Sequence, residues 1–411
     1  MPTFSPFVGL RYDESTVRLA DVVAPPYDIV DPDQRQTLVE RSPFNCIEIE
    51  LPVAHADSAD PYAAAAETLA RWIHDGVLTF DDEPAFYVYR MGYHDELGRP
   101  QQTAGVIGAL TVEQPGSGDL LPHERTIPKA KSDRLDLIRA TRLNTSPIWG
   151  LSLAQGWSGL CELPGPPVAR VTDADGVHHR LWRVTEPGVV TAIAAAVGSA
   201  PIVIADGHHR FETANTYLAE RGDGDQGATA LMAFVVELSA DQLDIRPIHR
   251  LVAPGSDLTA SAALAALRDW YDITEGAGDN SVAADTLPAL AVDRGAVVAI
   301  DRDGTTWLMS PRPQLLDAVR AEAADGEVVD TDAAHVAVAL RHCELGVAYH
   351  HDAARVAAAV ARDEAALGLI LRPVTIAQID QAARARSRMP QKSTYFYPKP
   401  ATGLVFRSLD H

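Results

Sequence analysis

A short apolar run, Pro201-Ile202-Val203-Ile204-Ala205, is followed at once by polar residues and then by apolar positions at helical spacing. Rich in β-branched residues and without alternation, the run predicts a strand buried on both faces. Asp206-Gly207 predicts a turn, since glycine adopts backbone angles that other residues avoid. Phe211, Ala214 and Leu218 then share one helical face, and Arg221-Gly222 predicts its end. Strand, tight turn and helix thus follow one another without a linker.

Other segments show the same two periods. Residues 61–75 predict a helix with proline at its start and Gly76 behind it. Strands are expected at 85–93 and 103–112, with turn residues at 95–98 between them, and at 46–51, where Glu48 and Glu50 alternate. Residues 132–143 read as a helix, as do 258–270, 333–342 and 352–360, and 296–300 and 305–309 form a hairpin around Asp303-Gly304. The uncharged stretch 189–205 is too short for a bilayer span and contains Gly198, Ser199 and Pro201, so it reads as a buried helix and then a buried strand. The fold class is therefore mixed α/β (α+β). A chain of 411 residues exceeds one ordinary core, and the Pro/Gly-rich stretch 253–256 divides it. The expected layout is a main domain at 1–255, a smaller α+β accessory domain at 256–385 and a C-terminal segment, 386–411, returning to the site.

Charge narrows the function classes. With 35 Lys and Arg against 56 Asp and Glu, the formal charge is −21, which repels nucleic acid and anionic lipid. No nucleic-acid or membrane partner is expected, and oligomeric state is not readable. Cys46, Cys161 and Cys343 are widely spaced and form no metal or disulfide pattern. The first ten residues carry two prolines and no basic stretch, unlike a secretion signal. The expectation is a cytoplasmic protein.

Against that acidic background the turn Asp206-Gly207-His208-His209-Arg210 stands out. A helix start directs backbone N–H groups and the positive end of its dipole at an anion, Arg210 offers a planar fork, and His208 and His209 add donors. Gly207, His208, His209 and Arg210 are candidate phosphate ligands. Asp206 repels a bare phosphate, so it suits a bridging Mg²⁺ or a hydroxyl or amine. An Asp helix cap with two surface histidines produces the same string. A second local excess of cations, Arg125, Lys129, Lys131 and Arg134, follows His123-Glu124. It reads either as an anion pocket, with Thr126 on phosphate and Glu124 beside His123 as general base, or as a solvated loop and helix; Glu48 and Glu50 are rival bases. Lys392-Ser393-Thr394 lacks the upstream glycines of a phosphate loop, yet Lys392 and Lys399 supply a further cationic strip for phosphate, with Ser393 and Thr394 contacting it, or else a basic chain end. Tyr27 and Asp28, behind two prolines, are candidates for a substrate pocket or a plain turn. Arg246, His249 and Arg250 form a minor cationic candidate. The pairs His178-His179 and His350-His351 lack companion ligands and read as surface residues.

The turn resembles the Gly-x-His-Arg phosphate motif of the ParB/sulfiredoxin superfamily, and more closely the Asp-Gly-His-His-Arg form of its free serine kinases. The wider chain resembles a family known as domain of unknown function 1015. The blocks that carry this likeness are Ala24-Pro25-Pro26-Tyr27-Asp28, Pro122-His123-Glu124-Arg125-Thr126 with Asp133-Arg134, Asn144-Thr145-Ser146-Pro147-Ile148, the turn itself, and Met389-Pro390-Gln391-Lys392-Ser393-Thr394. Asn144 and Ser146 thereby join Tyr27 and Asp28 as substrate candidates. The resemblance implies a ParB/sulfiredoxin-like nucleotide-binding core. It also implies a phosphotransferase that uses ATP or ADP with Mg²⁺ on a small hydroxyl metabolite, with free L-serine as the leading acceptor. Asp206 would serve as catalytic and metal residue and His123 and Glu124 as catalytic residues. A non-catalytic nucleotide switch or interaction protein is the alternative. Sulfiredoxin-like chemistry is set aside because no cysteine stands in the turn.

Overall fold

A computed structural model describes residues 1–54, 60–95, 98–114, 118–124, 132–276, 283–324 and 327–411. The chain forms two compact units. The first comprises Met1–Pro122, Thr126–Asp244 and Pro398–His411, and the second His123–Arg125 and Ile245–Tyr397. Thr126, with Arg125, Lys129 and Lys131, lies outside the described residues.

The first unit is built on a mixed sheet, nine-stranded among the described residues. Its spatial order is Leu120–Pro122, Ile202–Asp206, Ile148–Ser152, Ala230–Glu237, Pro100–Thr111, Phe86–His94, His178–Val184 and Ala169–Thr172, with Phe4–Ser5 on Pro100–Thr111. The apolar run sits where periodicity predicted. Ile202–Asp206 lies parallel to Leu120–Pro122 and antiparallel to Ile148–Ser152, with Ile202, Val203 and Ile204 at most 1% exposed. Phe86, Val88, Val106, Ile148 and Val235 from neighbouring strands share a core with Ile193 and Val197 of the helix Pro187–Val197 and with Phe211 and Ala214 of the helix His208–Arg221. A small second sheet orders Leu78–Phe80, Gly9–Tyr12, Phe406–Ser408 and Leu143–Asn144. The C-terminal strand is thus stitched between segments from the beginning and middle of the chain.

The second unit carries an antiparallel six-stranded sheet, Tyr271–Glu275, Thr306–Pro311, Val297–Ile300, Leu367–Ile370, His249–Val252 and Val347–His350, in that order among the described residues. Alternation along Val297–Ile300 sends Val297 and Ala299 into one core, with Leu264, Leu315 and Val336. Val298 and Ile300 enter another, with Leu287 and Val356, so helices cover both faces. Among the described residues no helix is long and apolar enough to cross a membrane.

Two local expectations fail. Residues 46–51 do not form a strand: Ile47–Glu50 is a short helix. Buried Asn45 accepts a hydrogen bond from the Ile47 amide at 3.0 Å and donates to the carbonyls of Asp21 and Val23, which fixes the turn. The helix is enclosed, so Ile47, Ile49 and Glu50 are all buried and imitate alternation. His179 is not a surface residue either. It is 1% exposed, with Nδ1 at 2.6 Å from the Tyr89 hydroxyl and Nε2 at 3.0 Å from Asp173; these partners make its burial affordable.

Gly105, on Pro100–Thr111, faces strands on both sides, and a Cβ there would stand 2.3 Å from the Val235 carbonyl oxygen. Replacing it with alanine should lower stability by roughly 1–3 kcal/mol, the usual cost of overpacking. The check is a reduced urea midpoint with an unchanged denaturant slope.

Candidate functional site

The strand Ile202–Asp206 ends in a carboxylate, and the helix His208–Arg221 begins two residues later. Gly207 bridges them at φ 86°, in the left-handed region. Gly207 at the N-cap has no side chain to cap this helix, whose half-buried first turn is the end that suits an anion.

Asp206 is the electrostatic centre of the first unit. Lys399 Nζ donates to its Oδ1, and Arg210 Nη2 donates to its Oδ2 at 2.8 Å. Burial alone would raise this carboxyl, but the charges of Lys399 and Arg210 outweigh it and hold the group well below the usual carboxylate range. Arg210 is committed further: Nη1 donates to Ser146 Oγ at 3.1 Å and to the Pro147 carbonyl. Its fork is therefore closed on protein atoms rather than spread toward solvent. His209 is half-exposed, 3.8 Å from Glu212.

Tyr27 and Asp28 lie beside this centre. The guanidinium of Arg134 stands 4.3 Å from the Tyr27 ring centroid and that of Arg210 5.9 Å from it. Asp28 is exposed as a residue, yet its carboxyl is hemmed in by protein. The protein crowded around it, and then the negative Asp206, raise its carboxyl above the ordinary value, opposed by Lys399 and Arg210.

Adjoining them is a cavity of about 50 Å³ lined by Tyr27, Glu50, Arg134, Asn144, Ser146 and Arg210 over an apolar floor that includes Ile138 and Met232. Three polar atoms of these residues are buried without a hydrogen-bond partner: Glu50 Oε2, Arg134 Nη2 and Arg210 Nε. Glu50 is wholly buried; its other oxygen accepts from Ser146 Oγ at 2.9 Å. Buried orphan groups are costly, and here an acceptor and two donors surround one small space. A larger recess, about 730 Å³, is lined by Arg142, Arg221, Asp225 and Asp410, which pair among themselves, and by Arg407, which bonds Asn144 and the carbonyls of Ala230 and Gly227. Asn144, by contrast, is structural as placed: its Oδ1 accepts from the Met232 amide and from Arg407.

The remaining predicted residues cluster in the second unit. Glu124 Oε2 accepts from the Lys392 amide, and Oε1 from the amides of Ser393 and Thr394 and from the Thr394 hydroxyl, all at 3.0–3.1 Å. His123 Nε2 lies 2.7 Å from Thr394 Oγ1, and Ser393 Oγ donates to the Pro390 carbonyl. The turn folds around an internal carboxylate as such turns fold around anions, with Lys392 at φ 58°.

Sequence reasoning grouped Lys399 with Lys392 as a cationic strip; its pairing with Asp206, 193 positions away, left no signal in spacing. Arg134 and Glu50 were visible only as one cation in a run and one of two rival bases. Among the described residues no group of three or more His, Cys, Asp or Glu is arranged to hold a metal ion. Asp206, already bonded to two cations, does not by itself make a resident Mg²⁺ site.

The family model described as "Protein of unknown function (DUF1015)" matches residues 4–333. No curated protein matches the sequence. Among solved structures, a conserved hypothetical protein from Pyrococcus furiosus is similar at 11% identity and TM-score 0.37, over 71% of this chain and 93% of that one. A free serine kinase mutant in complex with AMP is similar at 12% identity and TM-score 0.37, over 70% and 89%. SbnI with a C-terminal truncation, from Staphylococcus aureus, is similar at 12% identity and TM-score 0.36, over 72% and 85%.

Replacing Lys399 with methionine should destabilise the chain by roughly 2–4 kcal/mol, slightly under the cost of breaking a fully buried pair. Because the folded Asp206 carboxyl is depressed, its contribution is fully present above the unfolded value, about 3.9, and fades as pH falls toward the folded one. Urea midpoints measured from neutral pH down to about pH 3 should therefore fall more steeply for the wild type than for Lys399→Met.

Proposed function

This chain belongs to the family described as protein of unknown function (DUF1015), and we propose that it is a nucleotide-dependent phosphotransferase acting on a small hydroxyl metabolite, with free L-serine as the first acceptor to test. One observation carries this reading. The helix start behind Gly207 and the Asp206 centre adjoin, through Arg210, a small cavity lined by residues with buried polar atoms that lack partners.

The parts divide the work as phosphoryl transfer requires. The first turn of His208–Arg221, with His208 and His209, receives phosphate oxygens of ATP or ADP on backbone N–H groups. Lys399 and Arg210 stand beside them, with their charges offset by Asp206, Asp28 and Glu50, so backbone N–H groups rather than net charge make the phosphate contact. The acceptor lies toward Tyr27 and Ser146. A molecule carrying both a donor and an acceptor group satisfies Glu50 Oε2 on one side and Arg134 Nη2 or Arg210 Nε on the other. The acceptor oxygen attacks the terminal phosphorus in line, the bond to the bridging oxygen breaks, and the shortened nucleotide leaves. We assign the hydroxyl proton to Asp28, which follows the cavity-lining Tyr27 and whose carboxyl is raised. Glu124, the base suggested by sequence, spends both oxygens holding the turn of Lys392, Ser393 and Thr394. Mg²⁺ is assigned no ligand from this chain.

The test supplies Mg²⁺ with ATP or ADP, with and without L-serine and other small hydroxyl compounds, and scores phosphorylated product. Acceptor-dependent turnover is expected, with Asp28→Asn lowering kcat by about 10²–10⁴, the usual worth of a general base, and Glu124→Gln costing far less. The reverse order of the two variants would return the base to Glu124. Tight nucleotide binding without turnover for any acceptor would overturn the phosphotransferase and leave a nucleotide switch.

A further inference from the structure

The second unit contains a recess of about 460 Å³, within the size range of small-molecule sites and unconnected with the argument for phosphoryl transfer. Val319, Val328, Val338, Leu340 and Val347 supply apolar side chains to a lining that also includes Glu322, Glu327 and Arg341. Tyr349, Pro390 and Gln391 line it together with Arg250.

Arg250 is unusual. It is 2% exposed and makes no ion pair among the described residues; Nη1 donates to the Ile248 carbonyl and Nη2 to the Lys392 carbonyl at 3.1 Å. The Tyr349 ring lies 4.7 Å from its guanidinium carbon. Burial pulls the guanidinium down to about 10, with Tyr349 and then Glu124 pulling the other way, so it stays charged at neutral pH. A buried cation bonded only to carbonyls, with a ring and the Glu124 charge near it but no direct ion pair, can still take an anion. Of the other charged residues lining the recess, Glu322 pairs with Arg341 at 3.0 Å and with His342, and Glu327 accepts from the Ala324 amide at 3.0 Å.

We propose that this recess binds a small monocarboxylic acid with an apolar body, its carboxylate on Arg250 and its hydrocarbon against Val319, Val338 and Val347. One unpaired buried cation calls for one negative charge. A phosphate dianion would need further cations, and Arg341 is already held by Glu322. Two of the guanidinium's N–H groups serve carbonyls, and those left over suit a planar carboxylate.

Octanoate is the probe, titrated calorimetrically into the full chain at neutral pH, with octanamide as its uncharged counterpart. The expected result is saturable one-to-one binding of octanoate, at least tenfold weaker for octanamide. Arg250→Met should abolish the difference between the two. Ala337→Trp, at an exposed position lining the recess, should weaken octanoate at least tenfold by filling it. If Arg250→Met does not fold, the octanamide and Ala337→Trp comparisons decide. Absence of octanoate binding, equal affinity for the amide, or unchanged affinity in Ala337→Trp would overturn the assignment.

Discussion

A carboxylate at the end of a buried strand must find cations or lose its charge, and in this protein Asp206 finds two. Arg210 comes from the helix that follows, one turn along; Lys399 comes from the last segment of the chain. Together they hold the carboxyl ionised against the burial that opposes it. The same segment continues into Phe406–Ser408, which pairs with Gly9–Tyr12 and with Leu143–Asn144. Arg407 there bonds Asn144 and the carbonyls of Ala230 and Gly227. The Asp206 pair therefore does more than balance charge. It anchors the C-terminal segment to the strand–turn–helix, and both to the block of residues 144–148 that lines the neighbouring cavity.

Much of this was legible. The apolar run ending at Asp206, the glycine behind it and the helix ending near Arg221 all appear as periodicity predicted, because each depends on local chemistry: β-branched residues on a buried strand, a left-handed glycine, a one-sided helix. The helix Pro61–His74 and the strands Phe86–His94 and Pro100–Thr111 likewise follow their patterns. Long-range pairing was not legible. Nothing in spacing links Lys399 to Asp206, or Glu50 to Ser146, since each pair is made by the fold rather than by a turn. The two local failures have one cause. Residues 46–51 and His179 are enclosed by protein on sides that sequence does not show, so alternation and polarity gave the wrong face.

The polar residues singled out by sequence separate by what they do in the structure. Glu124 and Thr394 satisfy one another, and His123 and Ser393 are bonded within the same cluster; such closed networks stabilise a turn. Around Glu50, Arg134 and Arg210 some atoms remain unsatisfied, and in the second unit buried Arg250 bonds carbonyls but makes no ion pair among the described residues. Natural cores seldom retain such groups without a use. The difference between matched and unmatched buried polar atoms, more than residue type, directs attention to the first-unit cavity and to the recess beside Arg250.

The central claim is that the turn behind Gly207 holds phosphate, and nucleotide binding at equilibrium tests it without requiring any acceptor. Calorimetric titration of ADP with Mg²⁺ into the wild type should show one saturable site per chain. In Gly207→Ala, the new Cβ at φ 86° would press on Ile148 at 2.9 Å and on Arg210 at 3.0 Å, and affinity should fall at least tenfold, about 1.4 kcal/mol, while the circular dichroism spectrum stays that of the folded chain. No binding of ADP by the folded wild type, or equal binding by the variant, would contradict the account.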